Sequence, residues 1–420
     1  MGEGVLTRPF PRIEGVVHCG AIPVDELASR FETPLYVYDL ARVRERTEAF
    51  QAAFAGVDHL IAYSVKANGN LSVMRALHEL GCGADITSGG ELFRARRAGI
   101  PADRIVFAGV GKTREEIVLA LEEGILAFNV ESRGELERIE EVARDLGVTA
   151  PFGVRANPDV LVSTPHHYTA TGHAATKFGV PWGEVRSLYA WALDCPHLDP
   201  IGIDAHIGSQ IVDPEPYVRT LDRVLELVGE LRATGVALRY LDIGGGFGIS
   251  YDDQPALDID ALAAQIAPRV KDAGLRLVLE PGRALVGDAG ALLVRVQYVK
   301  ESEGKVFVVV DGGMSELLRP SHYGGYHEIE VAGRVDGRTS IPVDVVGPIC
   351  ETGDFLALDR DLPMPEPGDL LVVHTSGAYG FAMASNYNGR LRPAEVLVDG
   401  SNIHLARRRE TFDDLIRGEE

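Results

Sequence analysis

From Leu60 to Glu280 the chain repeats one unit, a short β-rich run followed by an amphipathic helical stretch. The runs read LIAYSV, GADIT, RIVFAG, LAFNV, FGVRA, IGIDAHI, LRYLDI and LRLVLE, eight in all. The stretches between them keep apolar residues three and four apart, and several, such as REEIVLALEEG and RGELERIEEVARDLG, close on glycine. ARVRERTEAFQAAF, ahead of the first run, supplies an eighth helix. Strands linked by helices lie parallel and bury both sheet faces, so this order predicts an α/β protein built on a closed (β/α)8 barrel of TIM type. The alternation by itself also fits an open doubly wound sheet.

After Arg283 the pattern changes. ALLVRVQYVK, KVFVVVDGG, HEIEVAG, IPVDVVGP and DLLVVHTSG are strand-like runs separated by Gly, Pro and Asp turns. A chain of 420 residues exceeds the roughly 250–300 that one core serves. We therefore expect a barrel domain over 36–283 and a second, mainly β domain, of β-barrel type, over 284–420, joined by 1–35. The run TPLYVYDL, near the first boundary, reads as a crossing strand.

With 41 Lys and Arg against 62 Asp and Glu, the formal charge of −21 disfavours nucleic acid or an anionic membrane as a partner. Any bound anion must be held by a local cluster. The N-terminus lacks a signal-peptide pattern and no apolar run nears the roughly 18 residues of a membrane span, so a cytoplasmic protein is expected. Cys19, Cys82, Cys195 and Cys350 form no CxxC pair, which indicates thiols and not a disulfide framework or a zinc site. His166, His167 and His173 share a polar loop without cysteine or paired carboxylates at ligand spacing, so no metal is expected.

In a barrel of this kind the chemistry gathers at the C-terminal ends of the strands. Those ends carry Lys66; Asp85 and Ser88; Arg155; His206 and Ser209; Gly244, Gly245 and Gly246; and Glu280 with Arg283. DIGGGFG matches neither a dinucleotide fingerprint nor a Walker loop, because Ile249 stands where the former needs glycine and no Gly-Lys-Ser/Thr follows. Backbone N–H groups without side chains nonetheless wrap a phosphate monoester, to which Ser209 adds a hydroxyl. A phosphate cradle, a reactive lysine and a carboxylate for a pyridinium nitrogen are together what pyridoxal 5′-phosphate requires. Lys66 would bond to the cofactor aldehyde, Glu280 would keep the ring nitrogen protonated, and His206 would stack on the ring.

The ordered motifs YSVKAN, KFG, HIGSQ, DIGGGFG, EPGR, DGGM, RPSHYGGYH, GPICETGD and SGAYGFAMASNYN resemble those of the diaminopimelate decarboxylase family, whose members carry an alanine-racemase-like barrel and a β-barrel C-terminal domain. The resemblance spans nearly the whole chain and implies decarboxylation of meso-diaminopimelate to L-lysine and CO2, the last step of bacterial lysine biosynthesis. It implies Lys66 as the cofactor-linked lysine and His206 over the ring. Ser209, Gly244 to Gly246 and Tyr379 would sit at the phosphate, and Glu280 at the ring nitrogen. Arg283, Arg319 and Tyr323 would bind the distal carboxylate and Glu351 the distal ammonium, and Tyr379 would also touch the substrate. Cys350 is implied as a catalytic residue, with Cys350 or Lys66 returning the proton, and Cys350 and Glu351 would reach the partner's pocket of a homodimer. Ser64 stands where the family commonly has alanine, and His322 where it often has leucine. Two arginines and a tyrosine suit a carboxylate better than the distal groups of ornithine or arginine do. Decarboxylation of one of those, or of a carrier-bound glutamate, is the alternative on the same fold, and a non-catalytic binding protein is the alternative of another class. An alanine racemase fits less well, because it usually places arginine at the ring nitrogen.

Overall fold

The computed structural model describes residues 9–160, 176–252 and 254–419. The eight repeats form eight strands: β1 (His59–Ser64), β2 (Gly83–Ile86), β3 (Ile105–Phe107), β4 (Ala127–Val130), β5 (Ala150–Asn157), β6 (Leu198–Asp204), β7 (Tyr240–Asp242) and β8 (Arg276–Leu279). Each pairs in parallel with the next, and β8 returns to β1 with Leu277 opposite His59. The sheet is therefore closed, and the open doubly wound arrangement is excluded.

Leu60 and Ala62 of β1, Val106 of β3, Ala127 of β4, Ile201 of β6, Tyr240 of β7 and Val278 of β8 form one buried cluster, as expected where interior side chains stack in layers. The Tyr240 ring fills the space beside Gly202, where any Cβ would overlap it. Helices Leu71–Glu79, Gly89–Ala98, Arg114–Glu123, Arg133–Leu146, Trp182–Leu193, Glu215–Ala233 and Ile259–Asp272 alternate with the strands, and Leu40–Ala53 precedes β1. Ser88, Thr113 and Ser132 cap three of them by accepting a backbone N–H, and Gly99, Gly124 and Gly147 end the same three in the left-handed conformation. Each such cap contributes about 1 kcal/mol.

The chain divides into two compact units, Arg46–Ile249 with Pro255–Ala284, and Met1–Glu45 with Ser250–Gln254 and Leu285–Glu420. In the second unit Leu35–Asp39, the strand read in TPLYVYDL, is buried at every position. It lies between Gly290–Ser302, antiparallel, and Ala394–Asp399, parallel. Lys305–Val310, Ser340–Val346 and Phe355–Pro363 extend the sheet on one side and Asn402–Arg407 on the other, while Ile329–Val331 and Leu370–Val373 pair near Gly290–Ser302. Leu35, Val37, Leu293, Val372, Val396 and Val398 share one core with Val17, Val24 and Leu27 from the N-terminal segment.

The sequence reading misses Phe355–Pro363 and Asn402–Arg407. Both are sheet edges rich in exposed polar residues, where an apolar alternation is not required. It also misses Ala394–Asp399 and the short N-terminal strands Arg12–Ile13, Val16–Cys19 and Ile22–Pro23. Among the described residues no helix is long and apolar enough to cross a membrane.

Candidate active site

Lys66 follows β1 by two residues, in a single 3-10 turn. Its Nζ donates to Asp85 Oδ2 at 2.7 Å, while its side chain stays 41% exposed against 0% for Asp85. The ammonium is thus anchored yet reachable from the barrel mouth. The Ser64 hydroxyl lies 2.7 Å from the same Asp85 oxygen and 3.0 Å from the Glu280 carbonyl oxygen, so β1, β2 and β8 meet at one carboxylate. Asp85 Oδ1 is buried with no hydrogen-bond partner among the described residues.

Across the mouth, the turn after β7 presents Gly244 to Gly246. Gly244 has a φ of +69°, and a Cβ there would come within 2.5 Å of His206 Nδ1; backbone conformation and close approach both demand glycine. The Gly245 N–H donates to His206 Nδ1 at 3.1 Å. That nitrogen is therefore unprotonated and Nε2 carries the hydrogen. Burial, then the Arg155 and Lys66 charges, hold the His206 pKa well below the usual histidine range, so the ring is neutral near pH 7. Asp242 accepts from the Gly244 N–H at 2.8 Å and from Asn129 Nδ2 at 3.1 Å, and Tyr217 donates to the Gly245 carbonyl at 3.0 Å. The glycine turn is thus fixed from below and from the side. Arg283 Nη2 donates to Ser209 Oγ at 3.4 Å.

Glu280, just past β8, is 5% exposed, and its Oε1 has no hydrogen-bond partner among the described residues. Burial first, and then Asp242 and Asp85, push its pKa well above the usual carboxyl range, while Lys66 and Arg155 oppose the shift. Asp242 is raised to about 8 by burial and by Asp204, and Asp204 is raised by burial and by Glu280. Such a set of acids is expensive to bury without cations beside it. Arg155 on β5 helps to balance it, with Nε 4.0 Å from Asp204 Oδ2 and Nη1 3.2 Å from Glu131 Oε1.

The remaining expected residues belong to the second unit. Arg319 opens the short helix Arg319–Tyr323. It is buried, donates to His327 Nε2 at 2.7 Å, and lies 4.5 Å over the Tyr251 ring. His327 Nδ1 in turn donates to the His374 carbonyl at 2.8 Å. Tyr323 packs edge-on against His322, with ring centroids 4.5 Å apart. Tyr379 sits at φ +56°, a conformation that costs a non-glycine residue about 1–2 kcal/mol and that clusters at functional sites. Cys350 and Glu351 are exposed on a loop organised by buried Asp354, whose carboxylate accepts from the backbone N–H of Met314 and of Ile349, both at 2.6 Å. The Cys350 N–H donates to Asn388 Oδ1 at 2.9 Å.

Residues 40–287 match the family described as pyridoxal-dependent decarboxylase, pyridoxal binding domain. Diaminopimelate decarboxylase of Neisseria meningitidis serogroup B is 48% identical over 401 residues, which cover 96% of each chain. The chain belongs to the diaminopimelate decarboxylase family. Among solved structures, diaminopimelate decarboxylase of Helicobacter pylori complexed with L-lysine matches with a TM-score of 0.90 at 40% identity, over 94% of this chain and 99% of that one. The M. jannaschii enzyme in co-complex with L-lysine matches with a TM-score of 0.92 at 37% identity, over 98% of this chain and 97% of that one.

For a pyridoxal-dependent diaminopimelate decarboxylase the barrel residues fit the cofactor. Glu280 Oε1 is a buried acceptor that lacks a donor among the described residues, which a protonated ring nitrogen would supply, and the glycine turn keeps side chains off the face where an anion would rest. Of the strand-end residues, Ser88 is a helix cap, with its hydroxyl on the Glu91 N–H. Glu131, Asp204, Asp242 and Asp354 were not singled out from the sequence. Asp204 and Asp242 carry a signal there, as acids that end apolar strand runs in IGIDAHI and LRYLDI. His166, His167 and His173 lie outside the described residues.

Proposed function

We propose that this chain converts meso-diaminopimelate to L-lysine and CO2 with pyridoxal 5′-phosphate held by Lys66, Asp85, Arg155, His206, Ser209, Gly244 to Gly246, Glu280 and Tyr379. The carrying observation is the convergence of an accessible amine, a neutral imidazole, a glycine turn and a buried carboxyl group whose Oε1 has no hydrogen-bond partner among the described residues, all at the end of one barrel. When bound, the cofactor supplies an aldehyde that condenses with amines and a protonated ring that takes up the electron pair left by departing CO2.

The chain's own groups do the rest. Asp85 and Ser64 position the Lys66 amine, and Glu280 offers Oε1 to the ring nitrogen. Neutral His206 faces the ring without adding a competing positive charge. Arg283, Arg319 and Tyr323 clasp the substrate's distal carboxylate, and Glu351 takes its distal ammonium. Cys350 returns a proton from Sγ to the carbon that has lost CO2. Cys350 and Glu351 are exposed in the single chain, which suits residues that serve a partner subunit's pocket, so the working unit is a homodimer.

The test is the purified enzyme with its cofactor. Borohydride should trap the cofactor on Lys66, and Lys66→Ala should lose the visible band and turnover together. Full turnover by Lys66→Ala, or release of cadaverine, putrescine or agmatine in place of L-lysine across candidate substrates, refutes the assignment.

A further inference from the structure

The Glu131 carboxylate uses both oxygens on the mouth side of the barrel. Oε1 accepts from the Gly109 N–H at 3.0 Å and from Arg155 Nη1 at 3.2 Å, and Oε2 accepts from the Gly179 N–H at 2.9 Å. Its own N–H donates to Glu135 Oε2 at 2.9 Å, and Glu135 Oε1 takes the buried Lys112 ammonium at 2.6 Å. Glu131 itself is 5% exposed. One anion therefore ties the end of β3, the side chain of β5 and the segment after Thr176 into a single wall.

That wall holds Arg155, and Arg155 has other anions in reach. Its Nε already stands 4.0 Å from Asp204 Oδ2, and its charge is felt at Glu280, whose Oε1 lacks a donor among the described residues. With the Glu131 charge removed, the wall offers Arg155 the Phe178 ring face at 5.0 Å in place of an anion, and the guanidinium would lower its energy by turning to that acid cluster. There it would neutralise the carboxylate that a ring nitrogen needs.

We propose that Glu131 is a positioning residue for the decarboxylation: it anchors the Arg155 guanidinium away from Glu280 and so leaves the Glu280 carboxylate to the cofactor ring nitrogen. This rests on the pyridoxal phosphate reading above. It assigns to Glu131 a partition of charge and not a contact with cofactor or substrate.

The experiment loads the enzyme with pyridoxal phosphate labelled with nitrogen-15 at the ring and records the ring resonance beside the cofactor Kd. Wild type should show the protonated-nitrogen position. Glu131→Gln keeps the size but not the charge; its resonance should move toward the unprotonated position and its Kd should rise about tenfold or more, the equivalent of one pKa unit. Adding Arg155→Gln to Glu131→Gln should bring the resonance back toward the wild-type position, because the competing cation is gone, while the Kd stays raised, because Arg155 is itself among the residues that hold the cofactor. Glu131→Asp, which keeps the charge one methylene short, should shift it less in the same direction and serves if the Gln variant does not fold. An unmoved resonance in both single variants, or a double variant no nearer wild type than Glu131→Gln, overturns the proposal and leaves Glu131 a structural tie. A wild type that takes up no cofactor overturns the functional reading instead.

Discussion

Ser64→Ala tests the geometry beneath the lysine. The Ser64 hydroxyl and Lys66 Nζ both meet Asp85 Oδ2 at 2.7 Å, and Asp85 Oδ1 has no partner among the described residues. Ser64 is 3% and Asp85 0% exposed, and the gap left by one oxygen is smaller than the roughly 10–15 Å³ a water needs. No solvent replaces the lost donor, so removing a hydrogen bond to a buried charge should cost about 1.5–3 kcal/mol. The protein reports this cleanly, because its 2 tryptophans, Trp182 and Trp191, both lie on the barrel helix Trp182–Leu193. Urea unfolding followed by tryptophan fluorescence therefore reads the barrel alone. A cycle of Ser64→Ala, Asp85→Ala and the double variant should return a coupling of about 1.5–3 kcal/mol, at the strong end for residues in contact. A coupling below about 0.5 kcal/mol would mean that the hydroxyl is spent on the Glu280 carbonyl, and the reasoning fails.

Other outcomes follow from the buried acids and the Cys350 loop. Asp242 is protonated up to about pH 8 in the fold but only to about 3.9 in an unfolded chain. The folded state therefore binds the extra proton between those values, and stability falls as pH rises through that window. Cofactor-free barrel should show a urea midpoint that declines from pH 5 to pH 8, with a shallower decline in Asp242→Asn; parallel profiles for the two proteins count against the assignment. Asp354→Ala orphans the N–H groups of Met314 and Ile349, so turnover should drop about tenfold or more, in keeping with a loss of about 1–3 kcal/mol per orphaned group. Alkylation of the Cys350 thiol, followed by mass spectrometry, should change rate in the same variant. Cys350→Ser should slow L-lysine release about a hundredfold or more, and an unchanged single-turnover rate would move the proton return to Lys66.

Much of this site is legible in the sequence because barrel chemistry sits where each apolar run stops. Lys66, Asp85, His206, the glycine turn and Glu280 each announce themselves as a polar or glycine break at a strand end. Arg155 is found by the same rule, but its partner Glu131 is not: after LAFNV it looks like the first polar residue of the helix RGELERIEEVARDLG, and only the closed barrel shows that it faces Gly109 and Gly179. Asp354 is invisible for a different reason. Its neighbours Gly313 and Gly347, either of which would clash with the carboxylate if given a Cβ, lie in the loops that follow Lys305–Val310 and Ser340–Val346, and no periodicity encodes that pocket. The β unit is read less completely than the barrel because its edge strands need no apolar alternation.

The burial of Leu35–Asp39 between Gly290–Ser302 and Ala394–Asp399 has a consequence for how the protein is made. On the ribosome this strand emerges early, and about 250 residues must follow before its first neighbour exists, a wait of roughly 12–50 s at ordinary elongation rates. The barrel, complete by Ala284, has everything it needs to collapse during that interval, while an apolar ribbon at the nascent N-terminus stays unsatisfied. Chaperone demand should therefore peak in the middle of synthesis and fall once the last strands arrive, and a circular permutant that begins at Arg46 should relieve it.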